Sequence, residues 1–338
     1  MSFRQLHVGR DETILEPDLP IIDAHHHLFL RQAIRYLFDD FLADVNSGHR
    51  IVASVYVEAH GMVRPDGPVM MRPLGEIEFA NGAGAMAASG FFGECRICAA
   101  IVGYADLRFG DELGDYLDRA LERAPERLRG IRQVMIEDPT GAAYRFVPIP
   151  PPSGVMQHPN FESGFRQLAQ RGLSFDAAVF HPQLSEVAAL AAAFPDTTIV
   201  INHTGHALAL DLDADGRERV FVEWRKQLRA IARYPNVCCK IGGLGLPFWG
   251  FRFEERTDPI GYLELADAWR PYVETAIEAF GAERCMMESD YPPDSRSCGY
   301  VPLWNALKHI VRSASRVDKA ALFHGTAARV YRIELPPL

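Results

Sequence analysis

The chain has 338 residues, and 48% of them are hydrophobic, which is enough for one large buried core. Its 35 lysines and arginines stand against 44 aspartates and glutamates, and the resulting net charge of −9 argues against a nucleic-acid partner. No apolar run is long enough to span a membrane, and residues 1–5 lack the apolar core of a signal peptide, so we expect a cytoplasmic protein without a membrane partner.

The sequence alternates between strand-like and helix-like segments after a polar leader at residues 1–19. The predicted strands are residues 21–27, 51–57, 97–102, 128–135, 173–180, 197–202, 237–241 and 285–288. The predicted helices are residues 31–45, 75–89, 112–123, 161–171, 183–194, 216–234 and 263–280, with two closing helices at 301–313 and 319–331. Residues 137–159 contain six prolines and are predicted to form an irregular insertion.

This alternation predicts a single domain over residues 1–338 with the (β/α)₈ TIM-barrel fold and loop insertions. The strands are short and mostly apolar on both faces, as a parallel sheet covered by helices requires. The alternative is an open doubly wound sheet, which normally shows a glycine-rich turn after its first strand. Here the first strand is followed by histidines.

Five polar side chains fall at the ends of predicted strands. His25 and His27 end the first strand, His181 the fifth, His203 the sixth and Asp290 the last. In a barrel these carboxyl ends meet at one mouth, where such folds carry their chemistry. Imidazoles and a carboxylate suit a divalent ion, zinc first and manganese or cobalt next. For any single histidine, a hydrogen-bonded core residue is the alternative.

The cysteines are predicted to be buried free thiols. Cys95 and Cys98 have metal-pair spacing, but no second such pair follows. Five of the six, all but Cys298, lie in or beside apolar strand-like segments, where a thiol behaves as a small hydrophobic group.

A series of motifs resembles the amidohydrolase superfamily, in particular its branch of metal-dependent TIM-barrel hydrolases that contains lactonases. The motifs occur in family order along almost the whole chain: DAHHHL (23–28), GIRQ (130–133), FHPQL (180–184), INHTG (201–205), VCCKIGGL (237–244), ESDYP (288–292) and FHGTAARVY (323–331).

The resemblance implies a ligand set for one metal ion. His25, His27 and His181 would hold the ion, and Asp290 would complete the site and act as general base on water. His203 would orient or polarise the substrate. Some similar lactonases work without metal, so metal-free operation stays open.

Substrate-binding residues are expected in the loops above the strands. Arg132, at the end of the fourth strand, is the first candidate for binding a substrate carboxylate. Trp249 lies in an aromatic loop suited to walling a pocket. Second candidates are the loop arginines Arg64, Arg252 and Arg296.

The resemblance implies hydrolysis of a lactone or related cyclic ester of a small sugar- or aromatic-derived acid. Gln133 stands where a histidine often follows Gly-Ile-Arg, which leaves the substrate class open. The alternative reaction is non-oxidative decarboxylation of an aromatic or enol acid on the same ligands. A barrel that binds a metal or ligand without turnover is the non-enzymatic alternative, and homo-oligomerisation is left open.

Overall fold

Eight strands form one parallel sheet in a computed structural model, which describes residues 11–31 and 34–335. The barrel strands are β1 (Ile21–His26), β4 (Ile51–Val57), β5 (Arg96–Tyr104), β6 (Leu128–Val134), β7 (Ser174–Ala178), β8 (Ile199–Ile201), β9 (Val237–Ile241) and β10 (Cys285–Met287). They pair in that order, and a separate hairpin consists of β2 (Phe29–Arg31) and β3 (Ile34–Tyr36). The expected single-domain TIM barrel is confirmed.

Helices connect the strands and cover the sheet. They are α1 (Phe38–Val45), α2 (Leu74–Ala88), α3 (Leu113–Arg123), α4 (Phe161–Gln170), α5 (Leu184–Ala193), α6 (Ala214–Ile231), α7 (Tyr262–Phe280), α8 (Tyr300–Ile310), α9 (Arg316–Ala320) and α10 (Thr326–Val330). Crossover helices place every strand in the same direction, so all the carboxyl ends lie at one rim.

The first and last strands meet just beyond the end of β10. The amide of Asp290 donates to the carbonyl of His25 at 2.9 Å, and the amide of His27 donates to the carbonyl of Tyr291 at 2.8 Å. These two hydrogen bonds form a seam that brings the beginning and the end of the barrel together. The histidine motif and the Asp290 motif are therefore neighbours in space.

The predicted helix at residues 31–45 is wrong in its first half. Arg31 is the last residue of β2 and Ile34–Tyr36 form β3, while residues 32 and 33 lie outside the described residues. The helix α1 begins only at Phe38, where the amide of Leu37 donates to Asp40 Oδ2 at 2.8 Å. Strands of three residues are too short for apolar spacing to distinguish them from a helical turn.

The last predicted helix, residues 319–331, is not one continuous helix in the structure. It is divided into α9, a π-helical turn at Ala321–Gly325 and α10. The insertion at residues 137–159 is irregular apart from a 3₁₀ turn at Ala142–Phe146.

The described part of the polar leader contacts the closing helix α8. The Leu15 amide donates to Asn305 Oδ1, and the Lys308 ammonium donates to the Leu15 carbonyl, both at 2.8 Å. Residues 1–10 of the leader lie outside the described residues.

All six cysteines are buried and free, as predicted. Among the helices of residues 11–31 and 34–335, none combines the length and apolar character needed to cross a bilayer.

Candidate active site

Asp290 lies at the centre of a cluster of imidazoles at the rim of the barrel. Its Oδ1 is 3.2 Å from His27 Nε2, 3.7 Å from His25 Nε2 and 3.8 Å from His203 Nε2. All four side chains are almost fully buried. The structure thus brings together four of the five side chains predicted from the strand ends.

The backbone at this cluster is bent away from extended geometry. Asp290 and His203 both have φ of 51°, in the left-handed region that side chains other than glycine seldom adopt. Such conformations are strained and concentrate at functional sites, where the surrounding structure holds them in place.

Glu288 connects two of the imidazoles from behind. Its Oε1 is 2.7 Å from His203 Nδ1, and its Oε2 is 2.9 Å from His25 Nδ1, the latter without hydrogen-bond alignment. A single carboxylate therefore contacts Nδ1 of both rings, while Nε2 of each ring faces Asp290. A carboxylate behind a ligating imidazole fixes its orientation and tautomer.

Two consecutive glycines after β9 leave room for this arrangement. A Cβ on Gly242 would lie 2.3 Å from Glu288 Cγ, and a Cβ on Gly243 would lie 2.4 Å from His203 Nδ1. Gly243 also has φ of 62°, where any side chain adds strain. Both positions therefore require glycine, because a side chain would collide with Glu288 or His203. The positive φ of Gly243 adds a second reason at that position.

Burial shifts the pKa values of the cluster. It lowers the pKa of His25 well below the usual value, helped by the nearby Lys240 ammonium, and it lowers the pKa of His203 to about 4. Burial raises the pKa of Asp290, against the opposing effects of His203 and Arg132. The imidazoles are accordingly neutral, and neutral imidazoles are the form that binds metals.

His25, His203 and Asp290 form a candidate metal site. One ligand atom from each residue lies within 4.8 Å of the others. A tetrahedral ion with bonds of about 2.0–2.2 Å places its ligands about 3.3–3.6 Å apart, close to the separations seen between Asp290 and the two rings. Two nitrogen donors and one carboxylate fit a borderline divalent ion.

Arg132 contacts the same cluster but is held by the protein. Its Nε donates to Glu58 Oε1 at 2.7 Å, and its Nη2 donates to the Glu58 carbonyl. Its Nη1 lies 3.2 Å from His25 Nε2, so the guanidinium and a metal ion would compete for one lone pair. Most of the donors of Arg132 are therefore already used within the chain.

A buried ion pair lies beneath the cluster. The Lys240 ammonium is 2.7 Å from Asp176 Oδ2 and 3.4 Å from His25 Nδ1. Asn202 and Tyr331 also donate to the Asp176 carboxylate. This network places a positive charge next to His25 and explains why Lys240 is tolerated inside a barrel.

A cavity of about 240 Å³ opens beside Asp290. Polar side chains of the cluster form one part of its lining, together with Arg31, Glu58 and His60. The proline-rich segment at residues 146–152 and Phe248 form an apolar part. The shape suits a small ligand with one reactive polar end.

His181 and Trp249 lie apart from this cavity lining. His181 Nδ1 accepts a hydrogen bond from the Leu208 amide at 3.2 Å, and His181 is not a member of the metal cluster found in the described residues. Trp249 is fully buried and donates to the Gly243 carbonyl. Their expected roles remain predictions that this geometry does not favour.

The second-choice arginines also lie outside the lining of the cavity. Arg64 pairs with Glu78, and Arg252 pairs with Glu255, both on the surface. Arg296 lies in a 3₁₀ turn after β10 and is partly buried.

Sequence reasoning missed Glu288 and Arg31. Glu288 lies two positions before Asp290 in the ESDYP motif, but both residues follow the end of β10 and Asp290 is not extended, so strand alternation gives no signal for Glu288. Arg31 lies in a segment predicted to be helical, so its position near the site had no signal.

Asp23 does not join the cluster, although it lies on β1 two residues before His25. It accepts hydrogen bonds from the Ser289 amide and hydroxyl and from the Tyr300 hydroxyl. The register of β1 is irregular between Asp23 and His26, which breaks the alternation.

The Amidohydrolase family model matches residues 22–333. The chain belongs to this family. It is 35% identical to the uncharacterized protein y4mH of Sinorhizobium fredii, over 94% of this chain and 99% of that protein. It is 28% identical to L-fucono-1,5-lactonase of Burkholderia multivorans, over 72% of this chain and 74% of that protein.

The fold is also that of a solved amidohydrolase. A crystal structure of a Burkholderia multivorans amidohydrolase with bound zinc superposes with a TM-score of 0.69 and 24% identity, covering 93% of this chain and 99% of that one. The predicted family and barrel are confirmed.

Proposed function

We propose that the protein hydrolyses a lactone or related cyclic ester of a small organic acid, with Asp290 as general base. The observation that carries the proposal is the position of Asp290 beside three buried imidazoles at the edge of a small cavity. The similarity to an L-fucono-1,5-lactonase supports this bond type.

The chain's own residues account for the proton transfers. Asp290 accepts a proton from water as the water oxygen attacks the carbonyl carbon. The ring carbon–oxygen bond then breaks, and Asp290 returns the proton to the departing alkoxide. Burial raises the pKa of Asp290, which brings this carboxylate closer to the range suited to a general base.

We propose that His25, His203 and Asp290 hold one divalent ion, with zinc favoured because of the bound zinc in the similar structure. Such an ion supplies a Lewis acid for the carbonyl oxygen and lowers the pKa of the attacking water. His203 fits the ligand role because its Nδ1 contacts Glu288 and its Nε2 is left to bind. His27 holds Asp290 through its 3.2 Å contact.

Elemental analysis of protein purified without added metal tests the ion. The assay for the reaction measures acid release from sugar lactones and muconolactone, and carbon dioxide release from carboxylated aromatics. Asp290→Asn should lower kcat by about 10²–10⁴-fold, because the general base is lost. Asp115→Asn, on the exposed face of α3, is the control and should leave kcat unchanged.

Full activity of Asp290→Asn would contradict the proposal. Release of carbon dioxide without lactone hydrolysis would replace it by the decarboxylase alternative.

A further inference from the structure

Asp176, on β7, is a carboxylate that binds three other side chains inside the barrel. The Lys240 ammonium, on β9, is 2.7 Å from its Oδ2, and the Asn202 amide, just after β8, donates to the same oxygen at 2.9 Å. The Tyr331 hydroxyl, just after α10, is 3.1 Å from Oδ1 and 3.0 Å from Oδ2. All four residues are fully buried. We call them the Asp176 network, and it connects three adjacent strands to the last helix.

Two members of the Asp176 network lead to the histidines of the proposed metal site. The Lys240 ammonium is also 3.4 Å from His25 Nδ1. Asn202 directly precedes His203 in a short turn, in which His203 has φ of 51°. The edge of the His25 ring therefore lies against Lys240, and the strained backbone of His203 begins at a residue whose side chain is fixed.

Asp176 determines where these two members lie. A lysine ammonium is a point charge on a flexible stem, so its position depends on its partner. Within residues 11–31 and 34–335, Tyr331 is the only donor to Asp176 Oδ1, and Oδ2 accepts from the other two members as well. Loss of the Tyr331 hydroxyl would leave a buried oxygen without a donor, and hydrogen bonds within one network weaken together.

We propose that the Asp176 network positions the rings of His25 and His203, so that their Nε2 atoms face Asp290. This inference rests on the proposed function, because these residues form the site that the function requires. It assigns Tyr331 a role as a positioning residue, and α10 thereby becomes part of the support of the active site. The alternative is an ion pair that only stabilises the barrel.

Removal of one hydroxyl tests the inference with little change in packing. Tyr331→Phe should lower the zinc affinity, measured by competition with a chromophoric chelator, by about 3–10-fold, because the ligating rings lose part of their support. It should lower kcat and leave KM nearly unchanged, since ring orientation acts on the reaction and not on substrate binding. Tyr36→Phe is the matched control, because Tyr36 is a buried tyrosine that donates to Asp44 on α1, and it should change neither quantity.

Replacement of the whole ion pair separates positioning from simple stabilisation. The double variant Asp176→Leu/Lys240→Met leaves no buried charge unpaired, and apolar replacements of this kind often preserve stability. Urea unfolding should therefore show no loss of stability, whereas the zinc affinity should fall by at least about tenfold. A stable double variant with the zinc affinity of the wild type would overturn the positioning role.

The imidazole ¹⁵N chemical shifts of His25 and His203 in metal-free protein distinguish this inference from the proposed function. They report the hydrogen bonds of each ring without zinc or substrate. Shifts that change in Tyr331→Phe but not in Tyr36→Phe support the positioning role even if the protein binds no zinc and hydrolyses no lactone. Shifts that stay at the wild-type values in Tyr331→Phe overturn it, whether or not the double variant folds, and leave the lactonase proposal standing.

Discussion

Glu288 contacts two histidine rings of the candidate site with one carboxylate. One carboxylate contacts His203 Nδ1 at 2.7 Å and His25 Nδ1 at 2.9 Å. The effect is to orient two rings at once, so that their Nε2 atoms converge on Asp290. Burial raises the pKa of Glu288 well above its usual value, against the opposing charge of Lys240.

Replacing Glu288 by glutamine should weaken metal binding at the proposed site of His25, His203 and Asp290. The amide oxygen can accept from one ring only, so the other loses its orientation. We expect zinc affinity, measured by competition with a chromophoric chelator, to fall by about 10–100-fold. Glu283→Gln changes an exposed side chain just before β10 and should have no effect. Equal zinc affinity in both variants would show that Glu288 does not position the ligands.

Of the two arginines that line the cavity, the sequence predicted Arg132 as a site residue but not Arg31. Arg132 was identified as a site residue because it ends a strand, and it does lie at the cavity. Arg132 donates hydrogen bonds to Glu58, which is far away in sequence. The sequence could not show that these donors are already used within the chain. Arg31 was missed because a hairpin occupies a segment with helical spacing.

At the level of elements, the strands were predicted better than the connections. The strands β4 and β9 have the predicted bounds, because a β-branched apolar run between turn residues is a strong local signal. The convergence of His25, His203 and Asp290 followed from topology alone. The hairpin, and the separation of His181 from the cluster, depend on tertiary packing that no local pattern encodes.

The Gly-Gly turn after β9 gives a test at this scale. Gly243→Ala introduces a Cβ 2.4 Å from His203 Nδ1 at a backbone φ of 62°. We expect destabilisation by about 1–3 kcal/mol and displacement of the His203 ring, hence loss of zinc affinity. Urea unfolding and chelator competition measure the two effects.

Gly82→Ala is the matched control for that change. Gly82 is exposed in α2, and nothing lies within 4 Å of an added Cβ. This variant should be stabilised by about 0.5–1 kcal/mol, because alanine favours the helix. Loss of stability in Gly82→Ala, or none in Gly243→Ala, would contradict the packing argument.

Across the whole molecule, α8 binds the leader on one side and the loop after α1 on the other. Lys308 donates to the carbonyl of Leu15 and lies 3.0 Å from His49 Nδ1. His49 Nε2 contacts the Val301 carbonyl at 3.3 Å. Burial, helped by Lys308, lowers the pKa of His49 to about 3. The fold therefore requires a neutral imidazole here.

This requirement predicts how stability depends on pH. The unfolded chain takes up a proton near pH 6.5, whereas folded His49 does so only near pH 3, so its contribution to stability is lost as the pH falls through that window. His49→Asn keeps a donor and an acceptor but does not titrate. The slope of unfolding free energy against pH should decrease by up to about 1.4 kcal/mol per pH unit. Parallel curves from urea titrations of the two proteins between these limits would refute the assignment.

The seam between β1 and β10 gives the barrel a further property. The amides of His27 and Asp290 hold its two edges together, and the side chains of the same residues belong to the reactive cluster. The side chains of the candidate site therefore come together only when β1 and β10 meet. A chain in which these two strands have not yet met lacks the site. An ion or substrate bound at the site would contact residues on both sides of this seam. Its binding should therefore slow local opening of the barrel between β1 and β10.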